Sequence, residues 1–147
     1  MRGLVRTGLL ATLAAVVATT AVAALARAAG ADLVVAEGED GIPLSGIAFV
    51  TGVLSVVGVL LALAFRRWSA HPAGRFLATA LALTALSLVP PVLAPADHAT
   101  TVTLVGLHLV AAVVMVPALT ARLRDSPVRL PSRAPAAPSR NRQGRGV

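Results

Sequence analysis

Four apolar runs without Asp, Glu, Lys or Arg, at 9–26, 44–65, 76–93 and 102–119, divide this chain, and its arginines gather in the segments on one side of them. A helix needs about 20 mostly apolar residues to cross the hydrocarbon core of a bilayer, with about 17–25 as the working range. Lipid offers no partner to backbone amides and carbonyls, so a crossing segment must satisfy them within itself, as a helix does. The expected fold class is therefore an all-α membrane protein, a bundle of four transmembrane helices.

Orientation follows from the charges. Of the 13 arginines, two precede the first run, three lie between the second and third, and seven follow the fourth. The exception is Arg27, at the far end of the first run, where a long side chain can snorkel to the headgroups. Basic residues favour the cytoplasmic loops, so both termini are expected in the cytoplasm of a multi-pass cell-membrane protein. The expected organisation is a four-helix domain over 1–121 and a basic, disordered cytoplasmic tail over 122–147. The tail is rich in Pro, Arg, Ser and Gly and has too little apolar surface to offset chain entropy.

Composition agrees with a membrane class. The chain is 56% apolar and 13% charged, whereas soluble domains run near 45–50% and 25%. It has no cysteine, which excludes disulfides, thiolate metal sites and thiol redox catalysis. Lysine is also absent, and Ala and Val abound, a pattern we read as codon bias in a GC-rich genome.

Local signals refine the picture. The first run is preceded by Arg2 and Arg6 and followed by Ala24-Leu25-Ala26 and Ala26-Arg27-Ala28, both of which fit a signal-peptidase site. Its 18-residue length exceeds a usual signal core, so a retained helix is expected. Between the first two helices, Leu33-Val34-Val35 and Ile42-Pro43-Leu44 flank an Asp-Gly turn signal and predict a small extracytoplasmic β-hairpin. Trp68 stands where an interfacial aromatic belongs. Pro72 suits the first turn of the third helix. Pro90-Pro91 are expected to break or kink that helix, and Pro117 to fall near the inner end of the fourth. Small residues recur at Ala11, Ala15, Thr19 and Ala23, and at Gly58 and Ala62, a spacing that lets helices approach closely in lipid.

Several short segments carry a family resemblance. These are Ile42-Pro43-Leu44 entering helix two, Phe65-Arg66-Arg67 leaving it and Ala73-Gly74-Arg75 opening helix three. Leu86-Ser87-Leu88-Val89-Pro90 ends helix three, and Leu107-His108-Leu109-Val110-Ala111-Ala112 precedes Pro117 in helix four. Over about residues 5–122 the chain resembles a family of small bacterial four-helix integral membrane proteins of unknown function. The resemblance implies a compact bundle in the cell membrane; it supplies no reaction, ligand or catalytic residue.

Candidate chemistry is sparse. His108 is the one strongly ionisable side chain well inside a run, and intramembrane ionisable groups are functional candidates by default. A helical wheel groups it with Leu104, Val105, Ala111 and Ala112 and predicts that it faces the bundle interior. With no carboxylate in any run to share its proton, a neutral imidazole bonded to a backbone carbonyl or a Thr hydroxyl is expected. Replacing it with Leu would then strand that partner at a cost of about 1–2 kcal/mol.

The acids Glu37, Glu39, Asp40 and Asp97, with His98, lack the spacing of a calcium loop and read as a solvated acidic face. No catalytic, cofactor-binding or metal residue is assigned, and no cofactor is expected. The expected partners are the bilayer itself, anionic headgroups reached by Arg122, Arg124, Arg129, Arg133, Arg140, Arg142 and Arg145, and an unidentified membrane protein. Nucleic acid is not expected, because the tail has no aromatic on which a base could stack. The sequence reads as a non-enzymatic structural or accessory subunit; the alternative is a small transporter or channel component with His108, Pro90 and Pro117 along its path.

Overall fold

The computed structural model describes residues 2–35, 40–94 and 96–125. The chain forms α1 (Arg2–Ala28), α2 (Leu44–Trp68), α3 (Pro72–Ser87), α4 (Val89–Leu93) and α5 (His98–Arg124). Taken with α4 as the continuation of α3, these make four helical segments of 27, 25, 22 and 27 residues that are long and apolar enough to cross a membrane. The described residues contain no strand.

The helices form a closed ring. α1 packs against α2 and α5, and α3 packs against the same two from the other side, while α2 and α5 also touch across the middle. The buried face of α1 is Leu4, Gly8, Ala11, Ala15, Thr19 and Ala23. This includes the whole small-residue stripe expected from the sequence. Its spacing of three and four residues keeps one line of the helix toward its neighbours. Opposite it, α2 buries Ser55, Val59 and Ala62. A Cβ placed on Gly8 would come 2.7 and 2.9 Å from the two methyls of Val59, so the glycine permits the contact. Thr19 donates its hydroxyl back to the Ala15 carbonyl at 2.9 Å and stands 3.3 Å from the Thr51 hydroxyl, a polar link between α1 and α2.

Two buried clusters result. One joins Leu4, Ala11 and Ala15 to Val59, Ala62, Phe76, Met115, Leu119 and Leu123. The other joins Ala23 to Ala31, Leu33, Ile47 and Leu107. Around both, the bulky side chains point outward: Leu10, Phe49, Leu93 and Val113 are 69%, 71%, 76% and 72% exposed. Small residues on α1 and larger Leu, Phe and Met share the interior, while many more large apolar side chains face outward, which suits a bundle surrounded by lipid.

The loop from α1 to α2 departs from the expected hairpin. α1 ends in a glycine cap: Gly30 has φ +96°, its amide reaches the Arg27 carbonyl at 2.9 Å, and the Ala31 amide reaches the Ala26 carbonyl at 3.0 Å. Leu33 takes a left-handed conformation, φ 55°, and is fully buried. Leucine reaches that region only at a steric cost, which its burial among Ala23, Ile47 and Leu107 offsets. The turn at Leu33 breaks strand alternation, and Pro43 has no N–H to extend a ladder. Among the described residues, one backbone cross-link joins its two sides, from the Ile42 amide to the Leu33 carbonyl at 3.0 Å. Residues 36–39 lie outside the described residues.

Both prolines of the expected break act one or two residues early. α3 stops at Ser87 and α4 starts at Val89, with Leu88 as the hinge. Pro90 and Pro91 return no amide to the carbonyls of Leu86 and Ser87, so the ladder fails there. Pro117, by contrast, does not end its helix: α5 runs past it to Arg124. Consequently residues 122–124, expected to open the tail, belong to the helix; Leu123 is buried and Arg122 donates through Nε to the Thr7 hydroxyl of α1 at 2.9 Å. The tail beyond Asp125 lies outside the described residues.

The Gly8–Val59 contact yields a test. Gly8→Ala should destabilise the detergent-solubilised bundle by about 1–3 kcal/mol, the usual scale for overpacking. Adding Val59→Ala should recover part of the loss relative to the sum of the two single changes, as read from thermal unfolding in a double-mutant cycle.

Candidate functional site

His108 is the residue on which any polar function within the bundle depends, and its surroundings are built by the break in the third segment. It lies on α5 next to Leu107, which is buried, but is itself only half-buried. The buried line of α5 is Thr100, Leu107, Met115, Leu119, Thr120 and Leu123. His108 therefore sits beside the core line and not, as the helical wheel predicts, within it.

The ring turns back one helical turn. Its Nδ1 stands 2.7 Å from the Leu104 carbonyl. A carbonyl can only accept, so Nδ1 carries a proton and donates it there. The expected backbone partner is thus present, within the residue's own helix. Leu104 also receives the ordinary α-helical amide from His108, so its carbonyl keeps a donor if the imidazole is removed.

On its other side the imidazole borders a groove of about 360 Å³, shared with Val35, Ser87, Pro90, Pro91 and Leu104. The groove lies beside the break between α3 and α4, both of which pack against α5. Ser87 spends its hydroxyl proton on the Thr84 carbonyl at 2.8 Å, and Thr84 spends its own on Ala80 at 2.8 Å. Both are backbone bonds of the kind Ser and Thr make inside helices, and they bend them. The structure brings His108 and Pro90 together as the transport alternative requires. Pro117 stands apart, exposed on α5 more than two turns beyond.

The acidic residues do not assemble a site. Asp32, Asp40, Asp97 and His98 are each exposed, and no group of three or more His, Cys, Asp or Glu able to hold a metal occurs among the described residues. Glu37 and Glu39 lie outside the described residues. Asp97 instead caps α5, accepting the Ala99 and Thr100 amides at 2.9 and 3.2 Å. The Thr100 hydroxyl, beside the carboxylate though outside hydrogen-bonding geometry, and these two amides hold the Asp97 carboxyl below its ordinary 3.8. That cap was legible in the sequence as an Asp before a Thr-rich helix start, but the acid was read there only as part of a charged face.

Arg27 also has a different role from the one expected. Its guanidinium Nη2 donates to the Ile42 carbonyl, fastening the end of α1 to the entry of α2 instead of only reaching for headgroups. Gly41 beside it is required by the loop's own packing, since a Cβ there would strike the Asp32 carbonyl oxygen. No sequence signal marked this clasp, because its acceptor is a backbone atom 15 residues away.

These features define a small integral membrane bundle of four apolar crossing segments with a mostly apolar groove beside His108. The chain belongs to a family of unknown function (DUF6069), whose model matches residues 1–125. No curated protein and no solved structure matches it.

Two expectations follow. Because Leu104 retains its amide donor, His108→Leu should change unfolding stability by less than about 0.5 kcal/mol, and His108→Gln by no more. This lowers the cost expected from the sequence and is checked by thermal unfolding in detergent. The depressed carboxyl of Asp97 implies a contribution present above the unfolded value near 3.8 and lost as pH falls through the lower folded value. Unfolding measured from pH 6 to pH 2 should show an acid-dependent loss in wild type that is smaller in Asp97→Asn.

Proposed function

We propose that this is a non-enzymatic, multi-pass protein of the cell membrane with both termini in the cytoplasm, acting as a structural or accessory subunit. The observation that carries the reading is the segregation of the bundle's surface. Arg2 and Arg6 at the start of α1, Arg66 and Arg67 at the end of α2, Arg75 near the start of α3, and Arg122 and Arg124 at the end of α5 occupy one end. Those helix ends meet there, since Leu4, Phe76 and Leu123 share one cluster. The acid-bearing loop and Asp97 occupy the other end. Between the two ends the surface is apolar, with exposed Leu, Val and Phe. Trp68, 78% exposed at the arginine end, has the position of an interfacial anchor.

A bundle with this distribution stays upright in a bilayer whose cytoplasmic side attracts arginine. Closely packed apolar side chains fill its interior, which supports a packed bundle over a water-filled pore. The same packing supports retention of α1, whose face contributes to both buried clusters. The arginine-rich tail adds attraction for anionic headgroups at about 1 kcal/mol for each basic residue near the surface. The exposed faces leave room for a membrane-protein partner.

Green fluorescent protein fused after Val147 should fluoresce, and alkaline phosphatase inserted after Glu39 should be active, since the first matures in the cytoplasm and the second outside it. An inactive phosphatase with a dark C-terminal fusion would invert the proposed orientation. Activity at both sites from only one reporter type would remove the four-span topology.

A further inference from the structure

We propose that the turn between α2 and α3 holds the phosphate of an anionic phospholipid whose head carries no amine, gripped by Arg66, Arg67 and Arg75. The first support is charge left unspent. The fold uses Arg27 and Arg122 for its own bonds, to the Ile42 carbonyl and the Thr7 hydroxyl. Arg66, Arg67 and Arg75 have no hydrogen-bond or ion-pair partner among the described residues, although all three fall within the short segment 66–75. That segment contains no acid. The acid described at this end of the bundle is Asp125, exposed at the close of α5, and no ion pair joins it to the three arginines.

The second support is where Arg75 stands. A helix start carries a partial positive charge, and acidic side chains are favoured there. α3 has no acid in its first turn and no side-chain cap from His71; it carries Arg75 close behind. The Arg75 amide reaches the His71 carbonyl at 3.2 Å, while those of Ala73 and Gly74 find no carbonyl among the described residues. A Cβ on Gly74 would meet nothing within 4 Å, so there is room beside them. Arg66 and Arg67 add two more cations across a turn that runs from Ser69 to His71. Alone, these charges repel one another; an anion among them turns the repulsion into attraction.

The third support is depth. The charge-free run 44–65 spans about 33 Å at 1.5 Å per residue, close to the hydrocarbon thickness of about 30 Å. Arg66 and Arg67 follow it directly, and Arg75 directly precedes the run 76–93, so all three stand at the level of lipid phosphates. α2 and α3 pack together, with Phe65, Ala73 and Phe76 in or against one cluster, which keeps the two helix ends side by side. Below Arg67, at spacings that keep one helix face, lie Leu60, Val56 and Val53; below Arg75 lie Ala78, Ala82 and Leu86, all exposed. Acyl chains descending from the phosphate toward the bilayer centre therefore meet apolar surface. A choline or ethanolamine head would bring its own cation among the arginines, which favours a neutral glycerol head. The inference rests on the membrane setting alone; it needs neither the accessory role nor the orientation that the reporter fusions test.

The test incubates the full-length protein in detergent with equimolar phosphatidylglycerol and phosphatidylcholine of distinguishable mass, and native mass spectrometry reads the lipid retained. Wild type should keep phosphatidylglycerol over phosphatidylcholine by about tenfold, and Arg66→Gln/Arg67→Gln/Arg75→Gln should lose that preference. Arg2→Gln/Arg6→Gln/Arg124→Gln, which removes as many charges from the same end, should retain it within about twofold. Excess glycerol phosphate should leave the lipid in place. Equal retention of both lipids by wild type, or equal losses in the two triple variants, would overturn the proposal. Displacement by glycerol phosphate would overturn it too, by making the site one for a soluble phosphate. Thermal unfolding of Arg75→Gln in nanodiscs tests the same turn without the triple variants. In phosphatidylcholine it should unfold above the wild-type temperature, since a cation has left a helix start, and in phosphatidylglycerol below it. The same shift in both lipids would defeat the assignment.

Discussion

The close approach of α1 to its neighbours is the constraint on which the bundle rests. Lipid tails are as apolar as leucine, so burying leucine between helices gains little over leaving it in the bilayer. Attraction must come from many short van der Waals contacts, and those require backbones to come near. Gly8, Ala11 and Ala15 on α1 provide this, meeting Val59 and Ala62 of α2 and, through the shared cluster, Met115 and Leu119 of α5, while Ala23 joins Ile47 of α2 and Leu107 of α5. Because α1 touches both α2 and α5, it holds the ring together, while α3 closes the opposite side.

Polar bonds then fix what packing leaves loose. At the arginine end, Arg122 reaches Thr7 and ties the last helix to the first. At the other end, Arg27 reaches the Ile42 carbonyl and ties the first helix to the second. Both clasps use guanidinium groups near the helix ends, where the head can stay close to water and the stem lies on protein. Within the bundle, Thr19 and Thr51 make a weaker link of the kind that side-chain hydroxyls form across helices in lipid. Leu33 adds an apolar plug below the loop, its unfavourable backbone angle sustained by complete burial.

The groove beside His108 lies where the third segment is interrupted. Two adjacent prolines stop α3 at Ser87, and the short α4 follows from Val89 and still packs against α5. The groove between Pro91 and His108 is lined mostly by apolar side chains, with Ser87 and His108 each bonded to a carbonyl of its own helix. A local rule of backbone chemistry, the missing N–H of proline, therefore interrupts the segment next to the one histidine placed well inside a crossing helix.

The sequence by itself determined the number of crossing segments, their order, the small-residue face of α1 and the sorting of arginines. Each depends on local composition or on a helical period, which requires no knowledge of neighbours. Helix starts at Leu44 and Pro72 were legible for the same reason. Tertiary structure decided the rest. Leu33 leaves the expected strand because a buried pocket accepts its side chain, and α5 runs on past Pro117 to bring Leu123 into the core and Arg122 onto Thr7. Arg27 finds a backbone carbonyl that only the folded loop places within reach. His108 borders a groove instead of the centre because the break at Leu88 lies opposite it, and a helical wheel has no knowledge of where a neighbouring helix ends.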